Sequence, residues 1–250
     1  MPPADFLPAN EVALVRGEPI PVPDAQEAAV AASWRTALER NPSLFNGPLV
    51  SPLSACVSDG VCAVRWHHSD FAHYLFSRQN RDLPSVAAVG ALFVSVVVPT
   101  MDGGLVVGRM SRQTSAPGVI QLPGGGVSID PDQTEISQRD LTATAIQEAS
   151  EELGITLDPA GLRISGVIQR QSPPDIGVVF STEPRSWDAV QAAFAALRAR
   201  ELQAGVLPEF DELLAVSRGT DLTSTPAARG GHIIDYLPAV TGALLTSGGA

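Results

Sequence analysis

The sequence predicts an α/β fold, on three observations. From residue 86 onward, short apolar runs with strand character alternate with helical patterns. One run, 119–122, feeds directly into three consecutive glycines, and a helix follows them. Hydrophobic residues make up 44% of the 250 positions against 17% charged, which is enough apolar surface for a substantial core.

Residues 1–85 read as a smaller α+β region. A proline-rich lead contains Glu18-Pro19-Ile20-Pro21-Val22-Pro23, and Asp24 is placed to cap a helix over 25–39. Asn46-Gly47-Pro48 makes a turn. Runs 49–57 and 61–66 read as strands joined at Ser58-Asp59-Gly60, a hairpin signal. Ser69-Asp70 precedes a short helix carrying Phe71, Tyr74, Leu75 and Phe76, and Arg81-Asp82-Leu83-Pro84 links into the second region, 86–250. There, 91–99 and 105–109 are expected to pair as a hairpin around Asp102-Gly103-Gly104. Strand 119–122, helix 141–153 and strands 162–169 and 176–181 follow. Helix 187–203 places Ala, Val, Phe and Leu at helical spacing, with arginines elsewhere. A strand over 213–216 and a helix over 236–245 close the pattern.

Composition narrows the function. The net charge of −11, from 27 acidic and 16 basic residues, argues against a duplex nucleic-acid binder, which needs a basic face. A small phosphate-bearing substrate needs only a few cations. The longest apolar run, 86–98, is short and interrupted by Gly90 and Ser95, so no membrane span is expected. The N-terminus lacks a basic start and an apolar core segment, which makes a cytoplasmic location the expectation. Cys56 and Cys62 are expected to be reduced and buried.

The chemistry concentrates in Glu148-Ala149-Ser150-Glu151-Glu152-Leu153-Gly154-Ile155. Three carboxylates at i, i+3 and i+4 share one helical face and repel, by some tenths of a kcal/mol per pair. A solvated helix gains nothing from this. A divalent cation reverses the sign, and hard oxygen donors suit Mg²⁺ or Mn²⁺. Upstream, Gln121-Leu122-Pro123-Gly124-Gly125-Gly126 lets backbone approach a ligand closely.

The loop followed by Ala-Ile-Gln-Glu-Ala-Ser-Glu-Glu-Leu-Gly-Ile resembles the Nudix box, written G-x5-E-x7-R-E-U-x-E-E-x-G-U with U aliphatic. Glu148, Glu151, Glu152, Gly154 and Ile155 match its second half, and Ala149 takes the aliphatic slot. Two positions depart. Gln147 stands where the family has arginine, and Arg139 stands where it has an early glutamate, unless a shifted alignment gives that role to Glu135 or Asp140. The span from Gly125 to Glu148 is longer than the family's, with the extra length in 128–138. The resemblance implies an α/β/α sandwich with a mixed sheet and the box helix on one side.

A second resemblance spans 34–155. Trp34, Asn41-Pro42-Ser43-Leu44-Phe45-Asn46-Gly47, Asp70-Phe71-Ala72-His73-Tyr74, Val106-Val107-Gly108-Arg109-Met110-Ser111 and Ala116-Pro117-Gly118 are similar to segments of UDP-glucose/UDP-galactose-type pyrophosphatases. Together the resemblances imply Mg²⁺-dependent hydrolysis of a nucleoside diphosphate linked to X, a UDP-sugar first, giving UMP and sugar 1-phosphate. ADP-ribose, coenzyme A or a dinucleotide is the alternative substrate, and a nucleotide sensor without hydrolysis is the alternative function. Catalysis and metal binding are implied for Glu148, Glu151 and Glu152, with Gly125 as a backbone metal ligand. Gly124, Gly125 and Gly126 would meet phosphate. Arg109, Arg112 and Arg170 are candidates for phosphate contacts, with a surface role as the alternative. His67 and His68 fall on opposite strand faces and are expected to be structural. Phe45 and Tyr74 are expected in the core, with base stacking as the alternative, and His232 in a loop. The partner is a small nucleotide, and a homodimer stays open.

Overall fold

The computed structural model describes residues 4–18, 21–42, 44–80, 82–83, 87–114, 116–130, 132–170, 174–217 and 232–246. Pro19 and Ile20 of the proline-rich lead, Ser43, Arg81 and Pro84 of the linker, the boundary at 85/86 and Gly230-Gly231 lie outside them.

The elements run β1 (Asp5–Leu7), β2 (Glu11–Arg16), α1 (Asp24–Arg40), β3 (Pro48–Ser58), β4 (Val61–Asp70), α2 (Phe71–Gln79), β5 (Leu92–Val97), β6 (Gly104–Met110), β7 (Val119–Gln121), α3 (Gln138–Leu153), β8 (Arg163–Gln169), β9 (Ile176–Ser181), α4 (Trp187–Gln203), β10 (Phe210–Ser217), β11 (His232–Ile233) and α5 (Leu237–Thr246). Among the described residues three sheets form, in the orders β1-β8-β9-β5, β10-β6-β7-β11 and β2-β4-β3. The first is mixed: β5 runs parallel to β9, and the other pairs are antiparallel. The second is mixed too, through the parallel β7–β11 pair.

The first sheet is covered on both faces, so its central strands are apolar almost throughout. Leu92, Val94, Val96 and Val178 pack with Leu141, Ala145, Ala149 and Leu153 of α3, and with Val190 and Phe194 of α4. On the opposite face Val97, Ile168 and Val179 pack with Tyr236, Leu237 and Val240 at the start of α5. Helices therefore flank a mixed sheet on both sides, which is the expected α/β/α sandwich. Val12, Val50, Cys62, Val64 and Trp66 of the three-stranded sheet join the α3-side core.

Several expectations change. The 91–109 hairpin closes only at its turn, where Thr100 N donates to Gly104 O at 2.8 Å and Val106 N to Val98 O at 3.0 Å. Beyond that point β5 and β6 enter different sheets. The glycine segment takes the edge of β5 instead: Val94 N donates to Gly125 O at 2.9 Å, Val96 N to Pro123 O at 2.7 Å, and Val127 N to Leu92 O at 2.8 Å. Strands β1 and β2 lie in the stretch read only as a proline-rich lead. Asp24 is the first residue of α1 rather than its cap, which is Pro23. Helix α3 starts before residue 141 because Asp140 accepts from the Ser137 backbone N at 2.8 Å and its hydroxyl at 2.7 Å. Cys62 is buried, but Cys56 is exposed; both are free. They oppose Val57 and Ala63 respectively, so neighbouring register positions turn the two thiols to opposite faces. His232 begins β11 instead of sitting in a loop. The hairpin turn at Asp59-Gly60 forms as expected, with φ of 51° and 81°. Among the described residues, no helix is long and apolar enough to cross a membrane.

Asp175, 1% exposed, pins the entry to β5. Its carboxylate accepts from Ala91 N at 2.9 Å and Arg170 Nη1 at 3.2 Å, and it pairs with Arg78 at 3.5 Å. Removing it leaves the buried Ala91 amide without its acceptor and Arg170 with Asp235 alone. Asp175→Ala should lower unfolding free energy by about 1–3 kcal/mol in urea denaturation; an unchanged stability would contradict this role.

Candidate active site

The site forms where α3 meets the glycine segment. Leu141, Ala145, Ala149 and Leu153 make the inward stripe of α3, and Glu152 lies in it, 2% exposed. One carboxylate oxygen of Glu152, Oε2, accepts from Gly124 N at 2.6 Å. The other, Oε1, is buried with no hydrogen-bond partner. A buried carboxylate oxygen without a donor is costly. Burial first, then Glu209 and Glu148, push the Glu152 carboxyl well above the usual carboxylate range, against the pull of the Gly124 amide.

Glu148 sits one turn earlier and is half-buried. Its carboxylate abuts the α-carbon of Gly125, where any side chain would collide with it. Burial, then Glu209 and Glu151, raise the Glu148 carboxyl to about 7. Gly124 has φ of 148°, and a Cβ there would strike Val94 O. Gly124 is therefore required sterically, a Cβ at Gly125 would displace the Glu148 carboxylate, and a Cβ at Gly126 meets nothing within 4 Å. The carbonyl of Gly125, expected as a metal ligand, accepts from Val94 N, so one of its lone pairs already serves β5.

The three glutamates do not share a face equally. Glu151 is on the exposed flank, where Gln147 Nε2 donates to its Oε1 at 2.9 Å. Gln147 thus supplies a neutral donor where the box has a charged one. Arg139 is exposed, and Asp140 is engaged at the helix cap.

Sequence reasoning missed Glu209, which precedes β10. It is exposed and lines the same cleft as Gly124–Gly126. It is the strongest charged influence on both Glu148 and Glu152. Its own carboxyl is raised by the protein packed against it, then by Glu151 and Glu201. No local motif marks it; only tertiary structure brings it to the box. Among the described residues, no three His, Cys, Asp or Glu side chains are already arranged to hold a metal ion.

The three candidate arginines are placed differently from one another. Arg170, with a side chain 10% exposed, is neither a surface group nor a free phosphate donor. It pairs with Asp235 and Asp175, and its guanidinium carbon lies 5.9 Å from the Phe93 ring centroid and 5.2 Å from that of Tyr236. Arg109 pairs with Glu212 across β6 and β10 at 2.6 Å. Arg112 is exposed in the turn after β6. His68 Nε2 meets Gln133 O at 2.9 Å, and His73 bridges Asp70 and Glu27, so these contacts do not involve Glu148, Glu151, Glu152 or Glu209.

A cleft of about 630 Å³ runs from Gly124–Gly126 and Glu209 to Phe45, Tyr74 and Arg78. A hollow of about 760 Å³ lies beyond the C-terminal end of α3, beside Met101, Leu157 and Val190, and includes none of the four glutamates above.

No protein-family model and no curated protein matches the chain. Solved structures resemble it at low identity. A bifunctional NMN adenylyltransferase/ADP ribose pyrophosphatase from Francisella tularensis, complexed with AMP and Mn ion, is 15% identical over 64% of this chain and 42% of its own, with a TM-score of 0.40. The MutT protein of Methanosarcina mazei is 23% identical over 51% and 76%, TM-score 0.32. The Nudix hydrolase RenU of M. smegmatis is 16% identical over 63% and 86%, TM-score 0.33. The chain spans less than half of the first. With TM-scores below 0.5, these likenesses decide nothing about its chemistry; the residues of the site do.

The raised Glu148 carboxyl has a measurable consequence. The unfolded chain releases this proton near 4.5, whereas the folded protein holds it to about 7. Between those values the folded state binds more protons, so stability declines as pH rises through the window. In chelator-containing buffer, Tm should fall from pH 5 to pH 8, and Glu148→Gln should flatten that slope. Identical slopes for both proteins would refute it.

Proposed function

We propose that the chain is a Nudix-superfamily pyrophosphohydrolase that cleaves the pyrophosphate bond of a nucleoside diphosphate linked to X, using Mg²⁺ or Mn²⁺. One observation carries the reading: Glu152 is tied to the Gly124 amide through one oxygen while its other oxygen is buried and unpartnered, next to Glu148. That arrangement is unfavourable for the protein alone and suits a hard divalent cation. Glu148 and Glu152 would hold the ion, with Glu151 and Glu209 adding negative charge around it. When bound, the cation offsets the charge of the phosphate oxygens and acidifies coordinated water.

The chain's own residues set the geometry. The bare Gly125 lets the Glu148 carboxylate lie against the glycine segment, and Gly126, where an added Cβ meets nothing within 4 Å, leaves room for a pyrophosphate beside it. The Gly124–Glu152 hydrogen bond keeps helix and loop in register for in-line attack. Glu209 lies on the cleft wall and outside the helix, and in this reading it would accept the proton of the attacking water.

A UDP-sugar is the substrate favoured, on the ordered similarities over 34–155. UMP and sugar 1-phosphate are then the products. Product release should be measured for UDP-glucose, ADP-ribose and coenzyme A with Mg²⁺. Glu152→Gln should lower kcat about 10²- to 10³-fold, and chelation should abolish turnover. Tight nucleotide binding without turnover of any of the three would replace the hydrolase by a sensor.

A further inference from the structure

The end of the cleft away from the glutamates has a composition that pyrophosphate cleavage does not explain. Phe45 is 79% exposed and lines the cleft together with Phe71, Tyr74 and Arg78. A lone exposed ring is ordinary. This one stands on a segment that is fastened down. Asn46 Oδ1 accepts from Ala72 N at 2.7 Å, and Gly47 O accepts from Phe71 N at 3.1 Å, so two free amides at the start of α2 anchor the residues after Phe45. Pro48 then enters β3 opposite Asp70. The ring itself lies over Gly47, where an added Cβ would come within 3.1 Å of Phe45 Cε1.

The neighbouring wall is aromatic and cationic. The Phe71 and Tyr74 rings lie 6.1 Å apart at 40°. Arg78 sits 5.9 Å from the Tyr74 ring centroid, held by the buried Asp175 and with its side chain still 34% exposed. A guanidinium in that position presents planar N–H donors toward the cleft.

The geometry points to a nucleobase subsite here, with Phe45 as the stacking platform and Arg78 donating to acceptor atoms on the base edge. A planar, weakly polar ligand covers the exposed ring without needing a countercharge, and the anionic part of the same molecule then extends toward the glycine segment. This assignment rests on the pyrophosphohydrolase reading, but it can be tested without turnover.

Binding of UMP, AMP and the base-free ribose 5-phosphate should be measured by calorimetry in chelator, on the wild type, Phe45→Ala and Phe45→Trp. Phe45 is exposed, so neither substitution disturbs the core. The wild type should bind both nucleotides at least tenfold more tightly than ribose 5-phosphate. Phe45→Ala should weaken both about tenfold or more and leave ribose 5-phosphate unchanged, and Phe45→Trp should restore them. Nucleotide affinities in Phe45→Ala within twofold of wild type, or no preference for base-bearing ligands, would overturn the subsite. A protein that binds bases through Phe45 but hydrolyses nothing would refute the enzyme and keep the subsite; hydrolysis that ignores Phe45 would do the reverse.

Discussion

The hydrogen bond from the Gly124 amide to Glu152 ties together the parts on which this structure depends. On one side it fixes α3; on the other it fixes a glycine segment that is itself stitched to the edge of β5 through Pro123, Gly125 and Val127. A carboxylate pulled out of water loses several kcal/mol of hydration, and one charge-assisted bond recovers only part of that. The imbalance is sustained because Ala145 and Ala149, both 0% exposed, bring α3 close to the sheet and leave Glu152 nowhere else to go. Packing stores an electrostatic debt at one defined point, and the neighbouring Glu148 and Glu209 enlarge it.

Arginine's chemistry shapes the opposite wall. Every cation in the chain other than histidine is an arginine. A planar guanidinium can lie close to the Phe93 and Tyr236 rings and still donate to two carboxylates, whereas an ammonium group cannot match both demands. Arg170 thereby joins β8, the start of β9 and the approach to α5 into one unit on the wall of the cleft.

What the sequence disclosed depended on whether a signal was local. Helix α4 has the bounds its periodicity implies, and Asp59-Gly60 turns where its residue types require. The acidic turn and the glycines were legible as a site for the same reason. Strand β1 was not, because three residues have no signature apart from the β8 strand they pair with. The splaying of β5 from β6 was hidden because the competitor for that edge lies past residue 120. Phe45 was read as core since a ring usually is, and only the anchoring of Asn46 and Gly47 to α2 shows why it stays outside. Glu209 carries no motif at all.

The pairing of β1 with β8 sets a timetable for assembly. Asp5 and Phe6 lie opposite Gln169 and Ile168, so this strand finds its partner only after the long stretch of chain between them has been made. During synthesis those residues wait, and their docking becomes one of the late steps that seals the edge of the central sheet.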